Sequence, residues 1–233
     1  LKARVKIFTY IKNDSSRIPR KNFKELGGTP MWKHLIYEMS KISEVFIDTD
    51  SQEVLDECEA DERLSTVTAY PRDKAFVEME EDSNSSLSPA LLMVENFLSK
   101  FVEDDSEVIV LTHVTSPFLK SETVEKAVSV LKNGYDTVHS VTVKQDFAWL
   151  ESFEKPLNFN PNVVQRTQDL DKIYFSNGAF FIFTKETFMK NKNRFGKNNF
   201  LYEIDSVEGL EIDNFKDLDF AKIIYRGVEN GSN

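Results

Sequence analysis

Several protein classes are excluded by what this chain lacks. It has one cysteine, Cys58, in 233 residues. That excludes an internal disulfide and suits a reducing compartment, the cytoplasm. Basic residues are outnumbered, 29 Lys and Arg against 39 Asp and Glu. A net charge of −10 argues against the clustered basic face of a nucleic-acid binder and serves solubility. No apolar run reaches the roughly 18–20 residues of a membrane span, so neither nucleic acid nor membrane is an expected partner. No glycine precedes Gly27, so the GxxxxGK[ST] phosphate loop is absent from the first strand–helix junction. Internal repeats and low-complexity tracts are lacking too. The chain opens Leu1-Lys2-Ala3-Arg4, with neither Met nor the apolar core of a signal peptide, and reads as a trimmed chain or a piece of a longer one.

What is present is apolar and patterned. Hydrophobic residues make up 40% of the chain and include 19 Phe, enough for a large core in one α/β domain over 1–233. Strands are expected at Val5–Tyr10, Val45–Asp48, Thr66–Ala69, Glu107–Thr112 and Thr137–Val143. Helices are expected at Pro30–Lys41, at Ser51–Ala60 with Ser51 as cap, at Ser88–Phe101, and at Ser121–Asn133 closed by Gly134. This alternation predicts a Rossmann-like, mostly parallel sheet with helices on both faces. The apolar middle of 107–112 fits a strand buried on both sides. From 144 to 172 the pattern turns polar and proline-bearing, as expected of a hairpin arm or lid. Phe180–Phe183 then reads as a strand, Leu201–Ile212 as carrying another short strand, Asp217–Tyr225 as a helix, and Gly227–Asn233 as a frayed tail.

The first strand leads into a loop holding Lys12, Arg17, Arg20 and Lys21 among small polar residues Asn13, Asp14, Ser15 and Ser16. In open α/β sheets ligands sit beyond the carboxyl ends of strands, so cations placed there predict an anion site, with a polyphosphate as the natural ligand. Glu211 and Asp213 stand two apart, a spacing that puts both carboxylates on one face of a strand. Asp82–Ser86 offers hydroxyls and an amide; by itself it reads as a loop and helix cap. His113 and Thr115-Ser116-Pro117 follow the central strand, at a strand end where a ligand can sit.

The segment Lys12 to Asn22, with Leu26-Gly27-Gly28-Thr29-Pro30, resembles the loop of the cytidylyltransferases that wraps the CTP triphosphate. The resemblance is strongest to the acylneuraminate branch. It continues in order through Asp48-Thr49-Asp50, Tyr70-Pro71-Arg72, Asp82-Ser83-Asn84-Ser85-Ser86, Thr115-Ser116-Pro117-Phe118, Ser176-Asn177-Gly178-Ala179 and Leu210-Glu211-Ile212-Asp213. Each motif is weak alone, but together they cover about nine-tenths of the chain in register.

The resemblance implies transfer of CMP from CTP to the anomeric hydroxyl of a 2-keto sugar acid of the nonulosonic type. It implies a homodimer whose 144–172 arm reaches the partner. Lys12, Arg17 and Lys21 would act on the phosphates. Lys12, Asn13, Ser15, Asn22, Arg72, Asp82, Ser83 and Ser85 would hold the nucleotide. His113, Thr115, Ser116, Gln165, Arg166, Gln168, Asn177 and Gly178 would face the sugar acid, with Arg166 suited to its carboxylate. Glu211 and Asp213 would bind Mg2+. Four positions depart from the family pattern: Lys12 in place of Arg, Ser16 in place of a cation, Leu119 in place of Arg, and Glu211 in place of Asp. A transferase for the eight-carbon acid Kdo, or a weakened nucleotide-sugar-binding module, stands as the alternative.

Overall fold

The computed structural model describes residues 4–82, 88–151 and 155–231. A seven-stranded mixed sheet organises it. In chain order its strands are β1 Val5–Ile11, β4 Val45–Thr49, β5 Val67–Pro71, β6 Val108–Thr112, β7 Thr137–Lys144, β8 Ile173–Thr184 and β9 Asn199–Glu203. A separate hairpin pairs β2 Glu25–Leu26 with β3 Thr29–Pro30. The sheet order is β5-β4-β1-β6-β8-β7-β9. β5, β4, β1 and β6 run parallel, β8 is antiparallel to both its neighbours, and β9 is parallel to β7. β1 therefore has its chain successor in the sheet, β4, on one side and β6 on the other. That reversal opens a crevice at the carboxyl ends of β1 and β6.

The helices are α1 Met31–Met39, α2 Gln52–Ala60, α3 Lys74–Glu81, α4 Ala90–Phe101, α5 Ser121–Val130, α6 Lys185–Asn191 and α7 Phe215–Gly231. α1 buries Met31, Trp32, Leu35, Ile36 and Met39 at helical spacing. Trp32, Leu35, Ile36 and Met39 pack with Ile7, Ile47, Val110 and Ile182 on one sheet face, and Met31 joins a separate cluster with Ile18 and Leu26. The opposite face carries Phe8, Phe97, Leu111, Phe181 and Phe183, with Phe8 stacked on Phe97 at 4.4 Å between ring centres. β4 and β6 are buried along their whole lengths, as strands covered on both faces must be.

The structure extends or shifts several expected elements. Phe180–Phe183 is the inner part of a strand of 12 residues. Ser51 occupies the N-cap position of α2, but its side chain makes no capping bond. α5 ends at Val130; a 3-10 turn over Leu131–Asn133 follows, and Gly134 closes it at φ 86°. Residues 210–213 form an extended segment outside the sheet, and β9 stops at Glu203. The helices α3 and α6 and the β2–β3 hairpin were not expected from the sequence pattern.

Residues 145–172 make the excursion between β7 and β8. Its core is Asn158, which accepts from the Ala148 amide and donates to the carbonyls of Asp146 and Asp171. Trp149 bridges to Pro156, and Phe147 and Trp149 both meet the Phe159 ring edge-on.

Candidate functional site

The loop after β1 is tied down at both ends. The Asn13 amide donates to Asp50 at 2.6 Å, and the Asn22 side chain donates to the Lys12 carbonyl at 2.9 Å. Asp14 accepts from the amides of Ser15 and Arg20, and those bonds hold its carboxyl below the usual range. Ile18 is fully buried with Leu26, Met31, Ile212 and Leu218, which anchors the middle of the loop to α7. With the backbone fixed, Lys12, Ser15, Arg17, Lys21 and Asn22 line a cleft of about 240 Å³ at the β1–β6 crevice. Arg20 turns away: its guanidinium pairs with Glu53 and the Asn13 side chain and stacks 3.8 Å over Phe23. Ser16 is exposed and lies outside this lining.

The far wall comes from β6 and from 211–213. The Ile212 amide donates to the Thr115 carbonyl at 2.8 Å, which lays the segment along the end of β6. Ile212 is fully buried, while Glu211 and Asp213 line the cleft, so the alternation expected of a strand holds in an extended loop. Lys21 Nζ donates to the Ile212 carbonyl at 3.0 Å and sits 3.2 Å from Asp213 Oδ1, which also accepts from Arg17 at 2.8 Å. Asp217 accepts from the amides of Asp213 and Asn214 and fixes both ahead of α7. Burial raises the Glu211 carboxyl, and the charge of Asp213 adds to that; Lys21, Thr115 and Arg17 pull it back. Thr115 donates weakly to Glu211 at 3.5 Å.

His113 lines the same cleft, with Nε2 3.0 Å from the Tyr10 hydroxyl. Burial, and next the charge of Arg194, push its pKa down to about 4, so the ring is neutral near pH 7. Gly178 takes φ 71°, and a Cβ there would stand 3.3 Å from Glu211 Oε2 and 3.4 Å from His113 Nδ1. The positive φ favours glycine at that position, and a Cβ there would press on the Glu211 carboxylate.

Other expected site residues do not reach the cleft. Arg72 has a side chain enclosed completely: it donates to the Asp48 carboxylate at 2.6 Å, to Glu80 at 2.7 Å, and to the carbonyls of Ile11 and Asp48. Four of its five N–H groups are bonded within the protein, so it positions Glu80 and the end of β1 in place of touching a ligand. Asn177 is buried beneath Gly209, its carbonyl oxygen accepting from Ser140 at 2.6 Å. Ser116 is buried. Asn13 gives its side chain to Arg20. Gln165, Arg166 and Gln168 stay within the arm: Gln165 accepts from Asn160, Arg166 grips Asp169 at 2.7 and 3.1 Å, and the Gln168 carbonyl accepts from Gln145. Local partners three to five residues away capture the first two side chains. Asp82 ends α3, and Ser83 and Ser85 lie outside the described residues.

A family model for cytidylyltransferases matches residues 12–227. The chain belongs to the cytidylyltransferase family. N-acylneuraminate cytidylyltransferase A from Danio rerio is 28% identical over 214 residues, which are 87% of this chain and 46% of that protein. The chain thus spans about half the length of that relative. CMP-N,N'-diacetyllegionaminic acid synthase from Legionella pneumophila is 27% identical over 210 residues, 85% of this chain and 86% of that protein. A solved CMP:2-keto-3-deoxy-manno-octonic acid synthetase complexed with CTP has the same fold, with a TM-score of 0.64 at 16% identity over 97% of this chain and 99% of that one.

One departure from the cytidylyltransferase pattern has a structural explanation. Leu119 is fully buried in the main core, where an arginine would be stranded without water. The neighbouring Lys120 is exposed beside Glu208 at 3.6 Å. Sequence reasoning missed Tyr10, Glu80 and Val114 in the cleft lining. Glu80 was hidden because α3 was not read as an element; Asp73, which caps it by accepting from the Ala75 amide, was the available signal.

The acidic pair is a suitable donor set for a divalent cation of the Mg2+ type. Among the described residues no group of three or more metal-ligating side chains converges. Mg2+ needs only one or two carboxylates when phosphate and water supply the rest. The mutual charge effect of Glu211 and Asp213 is what such a cation would relieve.

Proposed function

We propose that this chain transfers CMP from CTP to the anomeric hydroxyl of a nonulosonic, sialic-type 2-keto acid. The hydroxyl oxygen bonds the α-phosphorus, its proton leaves to water, the bond to the bridging oxygen breaks, and pyrophosphate departs with that electron pair. The observation that carries this reading is the convergence of Lys12, Arg17 and Lys21 with Glu211 and Asp213 at the β1–β6 crevice.

Each residue has a task in that reaction. Lys21 is held by Ile212 and Asp213 before any ligand arrives, so its charge needs little reorganisation to meet a phosphate. Lys12 and the more exposed Arg17 approach from the rim, and Arg17 supplies the cation that Ser16 does not. Glu211 and Asp213 would hold Mg2+, which supplies Lewis-acid polarisation of phosphate oxygens. His113, neutral and bonded to Tyr10, shapes the floor under the acceptor. The relatives named for sialic-type and legionaminic acids support a nine-carbon acid over Kdo. We further propose a homodimer in which a second copy covers the exposed Phe147, Trp149, Leu150 and Leu157 of the arm. A cytoplasmic setting suits the lone Cys58, whose thiol burial pushes up to about 11 and so keeps unreactive.

The test is pyrophosphate release from CTP with Mg2+ and a panel of acids. N-acetylneuraminate or a nine-carbon relative is expected to turn over faster than Kdo, and CTP faster than UTP. Release with Kdo alone would replace the acceptor assignment, and no release with any 2-keto acid would overturn the reading.

A further inference from the structure

Among the described residues, one arginine near the cleft has no ion-pair partner. Arg194 follows α6, after Lys192 turns the chain at φ 50°. It is half-buried, and its guanidinium lies 3.9 Å over the Phe181 ring and 5.7 Å from that of Phe195. Phe181 in turn meets His113 at 6.0 Å and stacks with His139 at 5.9 Å between ring centres. Arg194 thus lies against aromatic rings, and Phe181 links it to His113, which lines the cleft. Among the described residues no carboxylate lies within ion-pair distance of it and no acceptor takes its N–H groups. The other arginines near the site each face a carboxylate: Arg17 faces Asp213, Arg20 Glu53, and Arg72 Asp48 and Glu80. A guanidinium stacked on a ring keeps its in-plane donors free, the geometry that grips a carboxylate with two bonds.

The charge of Arg194 is also felt across the floor of the cleft. It acts on Tyr10 and His113, and Tyr10 and Glu211 in turn act on it. In a 2-keto sugar acid the carboxylate and the anomeric hydroxyl sit on the same carbon. An acceptor presenting its hydroxyl near Glu211 therefore carries its carboxylate only a few ångströms away. The cations assigned to the triphosphate belong to the loop after β1, and Arg166 pairs with Asp169 within the arm.

We propose that Arg194 is the binding residue for the carboxylate of the acceptor acid. This rests on the reading of the chain as a transferase to 2-keto acids, and it adds a residue outside every motif of the resemblance. Exchanging the carboxylate for a neutral group, or the arginine for glutamine, should remove the same interaction, and removing both should cost little more than removing either.

The test titrates N-acetylneuraminate and its neutral methyl ester into wild type, Arg194→Gln and Arg194→Lys, all loaded with CTP in the absence of divalent metal. A charge-assisted contact of this kind predicts about 10- to 100-fold weaker binding of the acid by Arg194→Gln, with partial recovery in Arg194→Lys. The ester should bind wild type and Arg194→Gln alike. Unchanged CTP affinity and thermal midpoint would show that the variants are folded. Equal acid affinity in wild type and Arg194→Gln, or an equal loss for acid and ester, would overturn the inference. Turnover of wild type on a 2-keto acid with no change in Arg194→Gln would sink this assignment alone. No turnover of wild type on any acid would sink the functional reading, and the binding comparison would still decide on Arg194.

Discussion

Beside the acceptor floor, His113 illustrates how enclosure decides a side chain's chemistry. Its pKa falls from 6.5 to about 4, chiefly through burial. Unfolding exposes it to water, so between these values the unfolded chain binds the extra proton. The stabilisation is complete above about pH 6.5 and is lost as pH falls toward 4, by up to about 3 kcal/mol over the window. Urea unfolding at pH 7 and pH 4.5 checks this: wild type should lose clearly more stability than His113→Gln, and parallel profiles would contradict it. The histidine itself was legible in the sequence, but its neutrality was not, since that depends on rings and cations brought in from β8 and the loop after α6. The same holds for the arginines. Nothing in the spacing of Arg72 announces that Asp48 and Glu80 will enclose it, or that Arg166 will be captured three residues on while Arg194 lies over the Phe181 ring.

At the scale of elements, the β2–β3 hairpin shows how a motif read for function also does structural duty. Gly27 and Gly28 both have positive φ, 57° and 78°, as a two-residue primed turn requires. A Cβ on Gly28 would meet nothing within 4 Å, whereas one on Gly27 would fall 2.0 Å from the Tyr225 ring of α7. Alanine at Gly28 should cost about 1–2 kcal/mol from backbone conformation alone. Alanine at Gly27 should cost about 1 kcal/mol more, because the ring and the end of α7 must shift. Thermal unfolding of both variants measures the difference, and equal losses would show that Tyr225 does not press on the turn. Elements with strong apolar periodicity, such as α1 and α4, were legible to within two residues. α3 was not, because it is only eight residues long and none of its residues whose side chains are described is fully buried. The pairing of 210–213 was misread as strand since alternation is shared by strands and by extended loops pinned at one amide.

For the whole molecule, the sheet order explains why residues from 10 to 213 meet in one crevice: β1 and β6 are neighbours with their crossovers leaving to opposite sides. The α/β order was readable from alternating runs. The antiparallel insertion of β8 was not, because it depends on the long return through 145–172. That return carries exposed Phe147, Trp149, Leu150 and Leu157. Sedimentation velocity should find a dimer, and Trp149→Ser with Leu157→Ser should shift it toward monomer without lowering the CTP affinity of each cleft. A wild-type monomer at tens of micromolar would contradict the dimer.

The most direct test of the central claim is the initial rate of pyrophosphate release from CTP and a nine-carbon 2-keto acid, wild type against Lys21→Met. Loss of a preorganised charge on the phosphates predicts a fall of about 100-fold or more in kcat/KM for CTP, with the fold retained. Equal rates in the two proteins would contradict a triphosphate cradle built on this loop.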